Sequence, residues 1–236
     1  MKTYRTLLLA TVAMAFCLIV LGAYVRLSDA GLGCPDWPGC YGNLTPAHSV
    51  SEIREAEAIQ PGGPVSLAKA WKEMVHRYLA MIVGALIAAI MVGAWRNRRR
   101  WNQSPVLPSV IAGAVIFQAA LGAWTVTMLL KPAIVTSHLL GGISILGLLV
   151  WLLYRQASTR PWATGIIPGG SLSLWGGIAL ATLFAQIVLG GWVSTNYAAL
   201  ACTDFPTCHG VWMPAMDFAN AFHVIRPLGV GPNGEL

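Results

Sequence analysis

The chain alternates long apolar stretches with short polar ones. Five apolar stretches are long enough to cross a hydrocarbon layer of about 30 Å, which takes about 20 helical residues. They cover approximately residues 6–25, 74–95, 106–130, 132–154 and 173–194. Within a bilayer a helix satisfies its own backbone polar groups, so this pattern predicts an all-α fold. We expect a polytopic membrane helix bundle with five spans.

Composition agrees with a membrane location. Hydrophobic residues make up 56% of the chain and charged residues only 10%, against about 25% charged in soluble domains. Lys2 and Arg5 precede the first apolar run, as they would in a signal peptide. That run exceeds the ~7–15 residues of a signal core, and Arg26 and Asp29 follow it without a small-residue cleavage site. We therefore expect the first span to be retained.

The positive charges lie on one side of the predicted spans. Eight of the fifteen Lys and Arg residues fall before span one, between spans two and three, or between spans four and five, with no acidic residue among them. The positive-inside rule then places the N-terminus in the cytoplasm. For a bacterial inner membrane, the cysteine-containing loops would be periplasmic. The net charge of +6 reflects this topology, and nothing indicates a nucleic-acid partner.

One segment of the chain occurs twice, 168 residues apart. LGAYVRLSDAGLGCPDWPGCYG at 21–42 and LGGWVSTNYAALACTDFPTCHG at 189–210 align without a gap, with ten of the 22 positions identical. Such a duplication predicts a repeated architecture. We assign residues 1–160 to a complete N-terminal half with four spans. Residues 161–236 would begin a second half with the fifth span and its outer loop.

Four of the five cysteines lie in these repeated loops. Each pair has the spacing C-x5-C, and an oxidising outer compartment favours disulfides. We expect the bonds Cys34–Cys40 and Cys202–Cys208, since a proline inside each pair favours the tight turn they require. The bonds would staple the loops, while thiol exchange remains a second interpretation. Metal binding is disfavoured because neither loop contains paired histidines.

Two histidines lie at similar depth in the second and fourth spans. His76 and His138 each fall near the outer start of a helix that runs inward. An ionisable group inside a bilayer is costly and therefore a candidate functional residue. Two imidazoles from separate helices can bind a heme iron on both axial faces. The alternative is a pair of hydrogen-bonded core histidines.

Small and amide residues lie in the same spans. Gly84, Gly141 and Gly142 would let a flat macrocycle or a neighbouring helix approach closely. Gln118 and Gln186 occur in similar QxxLGxW contexts, and we expect each to form a hydrogen bond between helices rather than to contact a substrate.

Charged residues surround the histidines at the outer rim. Arg77, Arg26 and Lys131 are candidates to neutralise heme propionates, or else they extend to the membrane surface. Glu73 precedes His76 by three residues and so shares its helix face. A carboxylate there would transfer protons or stabilise a developing cation. It would alternatively pair with Arg77.

These motifs together resemble the heme A synthase family. The resemblance covers essentially the whole chain and is carried by LGAYVRLSDAGLGCPDWPGC, EMVHRYLA, LGAWTVTMLLKPAIVTSHLLGG, GGWVSTNYAALACTDFPTC and MDFANAFHVIRPLG. It implies eight helices in two four-helix halves related by a pseudo-twofold repeat. It also implies an oxidoreductase that converts the C8 methyl group of heme O to the formyl group of heme A, for cytochrome oxidase.

The resemblance also implies roles for individual residues. His76 and His138 would be axial ligands to the iron of substrate heme O, and Glu73 would be the catalytic carboxylate. The cysteine pairs match the family's outer-loop disulfide. A heme b cofactor would belong to the second half, whose histidine pair the 168-residue offset carries beyond Leu236. We therefore expect a fragment with five of eight spans that lacks the second heme site.

Expected partners are heme O, membrane lipids, a heme O synthase and an electron-transfer protein, while a homo-oligomer stays open. Two other functions remain. A diheme b-type electron-transfer protein would make no use of Glu73 as a catalyst. A membrane thiol oxidoreductase would depend on the cysteine pairs and would bind no heme.

Overall fold

The computed structural model describes residues 2–101, 103–157 and 171–224. The helices in these ranges are α1 (Lys2–Leu27), α2 (Val50–Ile59), α3 (Leu67–Trp101), α4 (Val106–Thr127), α5 (Pro132–Ala157), α6 (Ser171–Thr195) and α7 (Phe218–Ala221). Single 3-10 turns lie at Pro46–His48 and Ala198–Leu200. The prediction of an all-α fold is confirmed. The five long helices are apolar enough to cross a membrane, so the predicted number of spans is also confirmed.

Four of the long helices form a bundle. Neighbours pack in the order α1, α3, α4, α5 and back to α1, while α6 packs on α5. Each of the four contributes a buried aliphatic side chain, among them Leu8, Ile87, Ile111 and Leu149. In a bilayer such contacts stabilise mainly through van der Waals packing, since lipid tails are as apolar as the helices. This aliphatic core lies in the half of the bundle that contains the start of α1.

α1 and α4 end in the same way. Asp29 (φ 49°) and Leu129 (φ 52°) adopt the left-handed conformation just beyond the two helices. The N–H of the next residue then bonds back five positions, from Ala30 to Val25 (3.0 Å) and from Leu130 to Thr125 (2.8 Å). This is a Schellman motif, which satisfies carbonyls that the helix end leaves free. It also ends α4 at Thr127, three residues before the predicted end of the third span.

α3 begins earlier than the predicted second span. It starts at Leu67 rather than near residue 74 and runs for 35 residues, about 50 Å at 1.5 Å per residue. Hydropathy assigned its first two turns to a polar loop because they carry Lys69 and Lys72. The structure keeps these turns helical because Ala70 and Met74 are buried against the first cysteine loop. The outer end of α3 therefore serves as a platform for that loop.

The two repeated loops share a local structure. In the first loop, residues 28–49, the Asp36 carboxylate accepts the N–H groups of Tyr41 (2.6 Å) and Gly42 (2.8 Å). In the second loop, residues 196–217, Asp204 accepts those of His209 (2.6 Å) and Gly210 (2.9 Å). A cis peptide bond precedes the proline in both. The duplicated sequence thus produces the same turn twice, while the predicted boundary near residue 160 lies outside the described residues.

Candidate functional site

The first loop covers the outer end of α3 and is fixed there by its disulfide. Cys34 and Cys40 are bonded, with an S–S distance of 2.05 Å, and both are fully buried against Ile53, Ala70 and Met74. Cys202 and Cys208 are bonded in the second loop, so both predicted pairings are confirmed. Burial shields the Cys34–Cys40 bond from attack by an outside thiolate, which thiol exchange would require.

Close backbone contact seats the first loop on α3. Gly33 is buried, and a Cβ atom built on it would lie 2.7 Å from the backbone nitrogen of Ala70 and from the carbonyl carbon of Lys69. Those backbone atoms belong to the first turn of a helix and cannot move independently of it. Only a glycine lets the loop lie this close to α3. The next residue, Cys34, donates its backbone N–H to the Glu73 carboxylate.

Gly33→Ala should lift the first loop from α3. We expect a loss of about 1–3 kcal/mol in the free energy of unfolding, as for other overpacked contacts, together with faster reduction of Cys34–Cys40. Thermal unfolding in detergent and the rate of reduction by dithiothreitol measure the two effects. Gly176→Ala is the control, because a Cβ there meets no heavy atom of the described residues within 4 Å. An unchanged reduction rate in Gly33→Ala would contradict the contact.

A buried ion pair joins the first loop to α3. The Arg77 Nη2 atom lies 2.5 Å from Glu73 Oε1, and the side chains are only 9% and 6% exposed. The backbone N–H of Cys34 donates to Glu73 Oε2 at 2.9 Å. Arg77 Nη1 donates to the carbonyl oxygens of Asp36 (2.8 Å) and Gly39 (2.5 Å). Both charges are therefore paired and hydrogen-bonded, which a buried ion pair requires.

The sequence allows two roles for Glu73, catalysis or pairing with Arg77. In the structure Glu73 pairs with Arg77. Arg77 also donates to backbone carbonyl groups of the first loop, which no sequence motif predicts. The i to i+4 spacing was the available signal for the pair. The carbonyl contacts had no signal, since a backbone acceptor can belong to any residue type. A carboxylate has about four lone-pair sites, and the contacts with Arg77 and the loop do not fill all of them, so Glu73 can still accept a proton or a hydrogen bond.

His76 and His138 lie on α3 and α5, helices that are separated in the bundle by α1 and α4. α1 packs against both of these helices, and so does α4. The Nδ1 atom of each imidazole is buried and has no hydrogen-bond partner among the described residues. A buried core histidine normally has a hydrogen bond at such an atom. Hydrogen-bonded core histidines, the alternative interpretation, do not account for this arrangement.

Gln118 links α4 to the backbone of the second histidine. Its Nε2 atom donates to the carbonyl oxygen of His138 at 2.7 Å. The interhelical hydrogen bond predicted for Gln118 is therefore present. Gly141 and Gly142 face the same Gln118 side chain, so in the described structure they admit a neighbouring helix.

The three rim cations differ in what they contact. Arg77 is held by Glu73 and the first loop, as described above. Arg26 donates to the carbonyl oxygen of Ser194 at 2.8 Å and lies 4.3 Å from the centre of the Tyr197 ring. Lys131 lies in the turn between α4 and α5. Arg26 thus ties the end of α1 to the end of α6, a contact that sequence reasoning did not predict.

The histidine pair fits an iron porphyrin. The iron of such a group would take one imidazole from each of the two separate helices. His76 and His138 would hold the iron, and their buried, unpartnered nitrogens show that no described protein group competes for the rings. Neutral imidazole is the form that binds a metal, and burial away from water favours the neutral form.

The second loop is more exposed than the first. Cys202 is exposed and Cys208 partly so. The Thr207 hydroxyl and then the Gly210 N–H hold the pKa of Asp204 below its usual value, because their hydrogen bonds favour the carboxylate. The turn is therefore preserved at neutral pH.

Comparisons with known proteins identify relatives of this chain. A family model described as cytochrome oxidase assembly protein (COX15-CtaA) matches residues 5–229. A heme A synthase of Shewanella oneidensis is 44% identical over 217 residues, which cover 92% of this chain and 64% of the relative. Heme A synthases of Halalkalibacterium halodurans and Paracoccus denitrificans are each 28% identical, covering 84% and 89% of this chain.

The chain spans less than two thirds of the length of these relatives, 64%, 61% and 61% respectively. No solved structure matches the chain with significance. The family match nevertheless includes all five long helices and both repeated loops. The chain therefore belongs to the heme A synthase family.

Proposed function

We propose that this protein binds heme O and takes part in oxidising its C8 methyl group to the formyl group of heme A. The observation that carries the proposal is the pair of imidazoles on α3 and α5 whose buried Nδ1 atoms have no hydrogen-bond partner among the described residues. The buried carboxylate of Glu73 lies three residues from His76. The names of the curated relatives support the same assignment.

His76 and His138 would bind the iron of heme O, one on each face. Binding through two helices orients the porphyrin within the bundle, so that the same methyl group meets the same protein groups in each molecule. The first loop closes the outer end of α3 and limits the entry of water. Arg77, Arg26 and Lys131 lie at the same rim, and they remain proposed partners for the anionic propionates.

The reaction needs both a proton acceptor and an electron acceptor. Converting a methyl group to a formyl group with water as the oxygen source releases four protons and four electrons. Glu73 would accept a proton from the attacking water or offset positive charge at the methyl carbon. A heme b cofactor, when bound, would supply one-electron redox chemistry. An electron-transfer partner would receive the electrons.

The distribution of charge supports an orientation in the membrane. The last turn of α3 carries Arg98, Arg99 and Arg100, and the N-terminal end of α1 carries Lys2 and Arg5. By the positive-inside rule these ends would face the bacterial cytoplasm, and both cysteine loops the periplasm. A heme O synthase in the same membrane would supply the substrate.

Replacing either ligand should remove the heme signature. We expect His76→Ala and His138→Ala to lose the low-spin bis-histidine absorption and electron paramagnetic resonance spectra of the protein purified with heme O. Formation of heme A, followed by mass spectrometry, should stop in both. His48→Ala is the matched control, because His48 is an exposed residue of the first loop.

The outcomes separate the three candidate functions. A bis-histidine spectrum without any formyl product from heme O would favour the diheme electron-transfer protein. Absence of bound heme, with activity that depends on the cysteines, would favour the thiol oxidoreductase. Retention of the wild-type spectrum in both histidine variants would overturn the proposed ligand pair.

A further inference from the structure

Each candidate ligand rests against a glycine of the neighbouring helix. A Cβ atom built on Gly22 of α1 would lie 2.9 Å from Cε1 of His76. One built on Gly122 of α4 would lie 3.2 Å from Cε1 of His138. At both positions the nearest atoms belong to the imidazole ring and not to the backbone of the facing helix. We propose that Gly22 and Gly122 are positioning residues that set the orientation of the two axial imidazoles.

The two contacts are built from the same local sequence. Gly22 belongs to Leu-Gly-Ala-Tyr and Gly122 to Leu-Gly-Ala-Trp. Each glycine lies seven residues before the left-handed residue that ends its helix, Asp29 or Leu129. The end of the helix and the glycine are therefore in the same register in α1 and α4. Both histidines meet a glycine at the same depth below the outer surface.

The contact restrains a side chain that has little other restraint. An imidazole on a helix rotates about two bonds, and neither Nδ1 atom has a hydrogen bond among the described residues to fix the ring plane. Metal-binding histidines usually gain this restraint from a hydrogen bond at the second nitrogen. Here van der Waals contact between the ring edge and a glycine takes that role. Addition of a methyl group at the glycine would push the ring away.

The other short glycine contacts in the bundle, as at Gly141, are with side chains other than imidazole, and some glycines have no short contact. A Cβ on Gly84 of α3 would lie 3.7 Å from Val115, an ordinary van der Waals distance, and one on Gly113 of α4 would meet no heavy atom of the described residues within 4 Å. Close helix packing alone would not place both short contacts on imidazole rings. Gly113 lies on the same helix as Gly122, which makes it a matched control.

The inference rests on the proposed binding of heme O and is tested on the full chain purified with heme O. We expect Gly22→Ala to weaken heme binding by about ten-fold or more, as loss of orienting groups around metal ligands commonly does, and to shift the g values of the low-spin signal. Gly122→Ala should produce a smaller shift, because its contact is longer. Gly113→Ala should match the wild type in affinity and spectrum.

A thermal-stability cycle without heme tests the contact itself. Gly22→Ala should lower the melting temperature of the heme-free protein, but it should have no further effect in a His76→Ala background, where the methyl group has room. Equal destabilisation in both backgrounds would show that Gly22 serves helix packing and would overturn the inference. Failure of Gly22→Ala to fold, with recovery on adding His76→Ala, would support it.

The results separate this inference from the function on which it rests. Absence of a bis-histidine spectrum in the wild-type protein would overturn the proposed ligand pair. A wild-type bis-histidine spectrum that is unchanged in Gly22→Ala and Gly122→Ala would leave the ligand pair intact and overturn the positioning role of the glycines.

Discussion

Arg77→Met should detach the first loop from α3 and lower the free energy of unfolding by about 3–5 kcal/mol, the usual cost of removing one partner of a buried ion pair. The substitution leaves the Glu73 carboxylate, whose side chain is only 6% exposed, without its cation. It also leaves the carbonyl oxygens of Asp36 and Gly39 without the guanidinium donor that now binds both. Methionine preserves most of the apolar volume, so the loss reports the charge and its hydrogen bonds.

Thermal unfolding in detergent, together with protease cleavage of the first loop, measures this effect. Arg54→Met is the control, since Arg54 is exposed on α2 and exposed charges contribute little. Adding Glu73→Gln to Arg77→Met should recover part of the loss, because it removes the unpaired charge. A melting temperature for Arg77→Met equal to that of the control would contradict the coupling of Arg77 to the loop.

Much of the fold can be predicted from the length of the apolar segments and from the repeated turn residues. The five spans follow from helix length and hydropathy, which depend on composition over about 20 residues and tolerate local exceptions. The disulfide Cys34–Cys40 follows from its spacing around Pro38, because the turn that joins the sulfurs is local. Predictions of this kind need no knowledge of which helices are neighbours.

Features that depend on packing between distant segments were missed or misplaced. The start of α3 at Leu67 depends on burial of Ala70 and Met74 beneath the first loop, which hydropathy along the helix does not record. The acceptors of Arg77 are backbone carbonyls, and these leave no mark on residue identity. The prediction that small residues admit a neighbouring helix is confirmed at Gly141 and Gly142, which face Gln118 of α4. The contacts with the imidazoles are instead made by glycines on the partner helices, α1 and α4.

The sequence, the structure and the family each contribute a different part of the assignment of His76 and His138. Matched depth in two inward-running helices predicted that His76 and His138 would lie at the same level, and the structure places them on helices that face across the bundle. The missing hydrogen bond at each Nδ1 atom adds evidence that the sequence lacked, because it argues against two hydrogen-bonded core histidines. The proposal that the ligand of the two rings is heme O rests on the family and not on the geometry of the site.

Glu73→Gln should abolish formation of heme A while leaving heme O bound. Glutamine keeps the shape of the side chain, and its amide oxygen can still accept the N–H of Cys34, which now donates to Oε2 at 2.9 Å. Its amide NH2 group then faces the Arg77 donor, so we also expect a lower melting temperature. It cannot take a proton at neutral pH, so a catalytic base or charge-stabilising group would be lost. We expect a fall of about 100-fold or more in the rate of formyl production, within the range of general acid–base catalysis.

Single-turnover conversion of bound heme O, followed by mass spectrometry, measures the chemical step separately from heme binding. The matched control is Glu52→Gln, because Glu52 is exposed in the first turn of α2 and should leave the rate unchanged. Glu73→Asp retains the charge but shortens the reach to Arg77 and Cys34, so it should keep part of the activity that the glutamine variant loses. If Glu73→Gln turned over heme O at the wild-type rate with its bis-histidine spectrum intact, Glu73 would be left as a structural partner of Arg77, and the proton acceptor would have to be sought elsewhere in the protein.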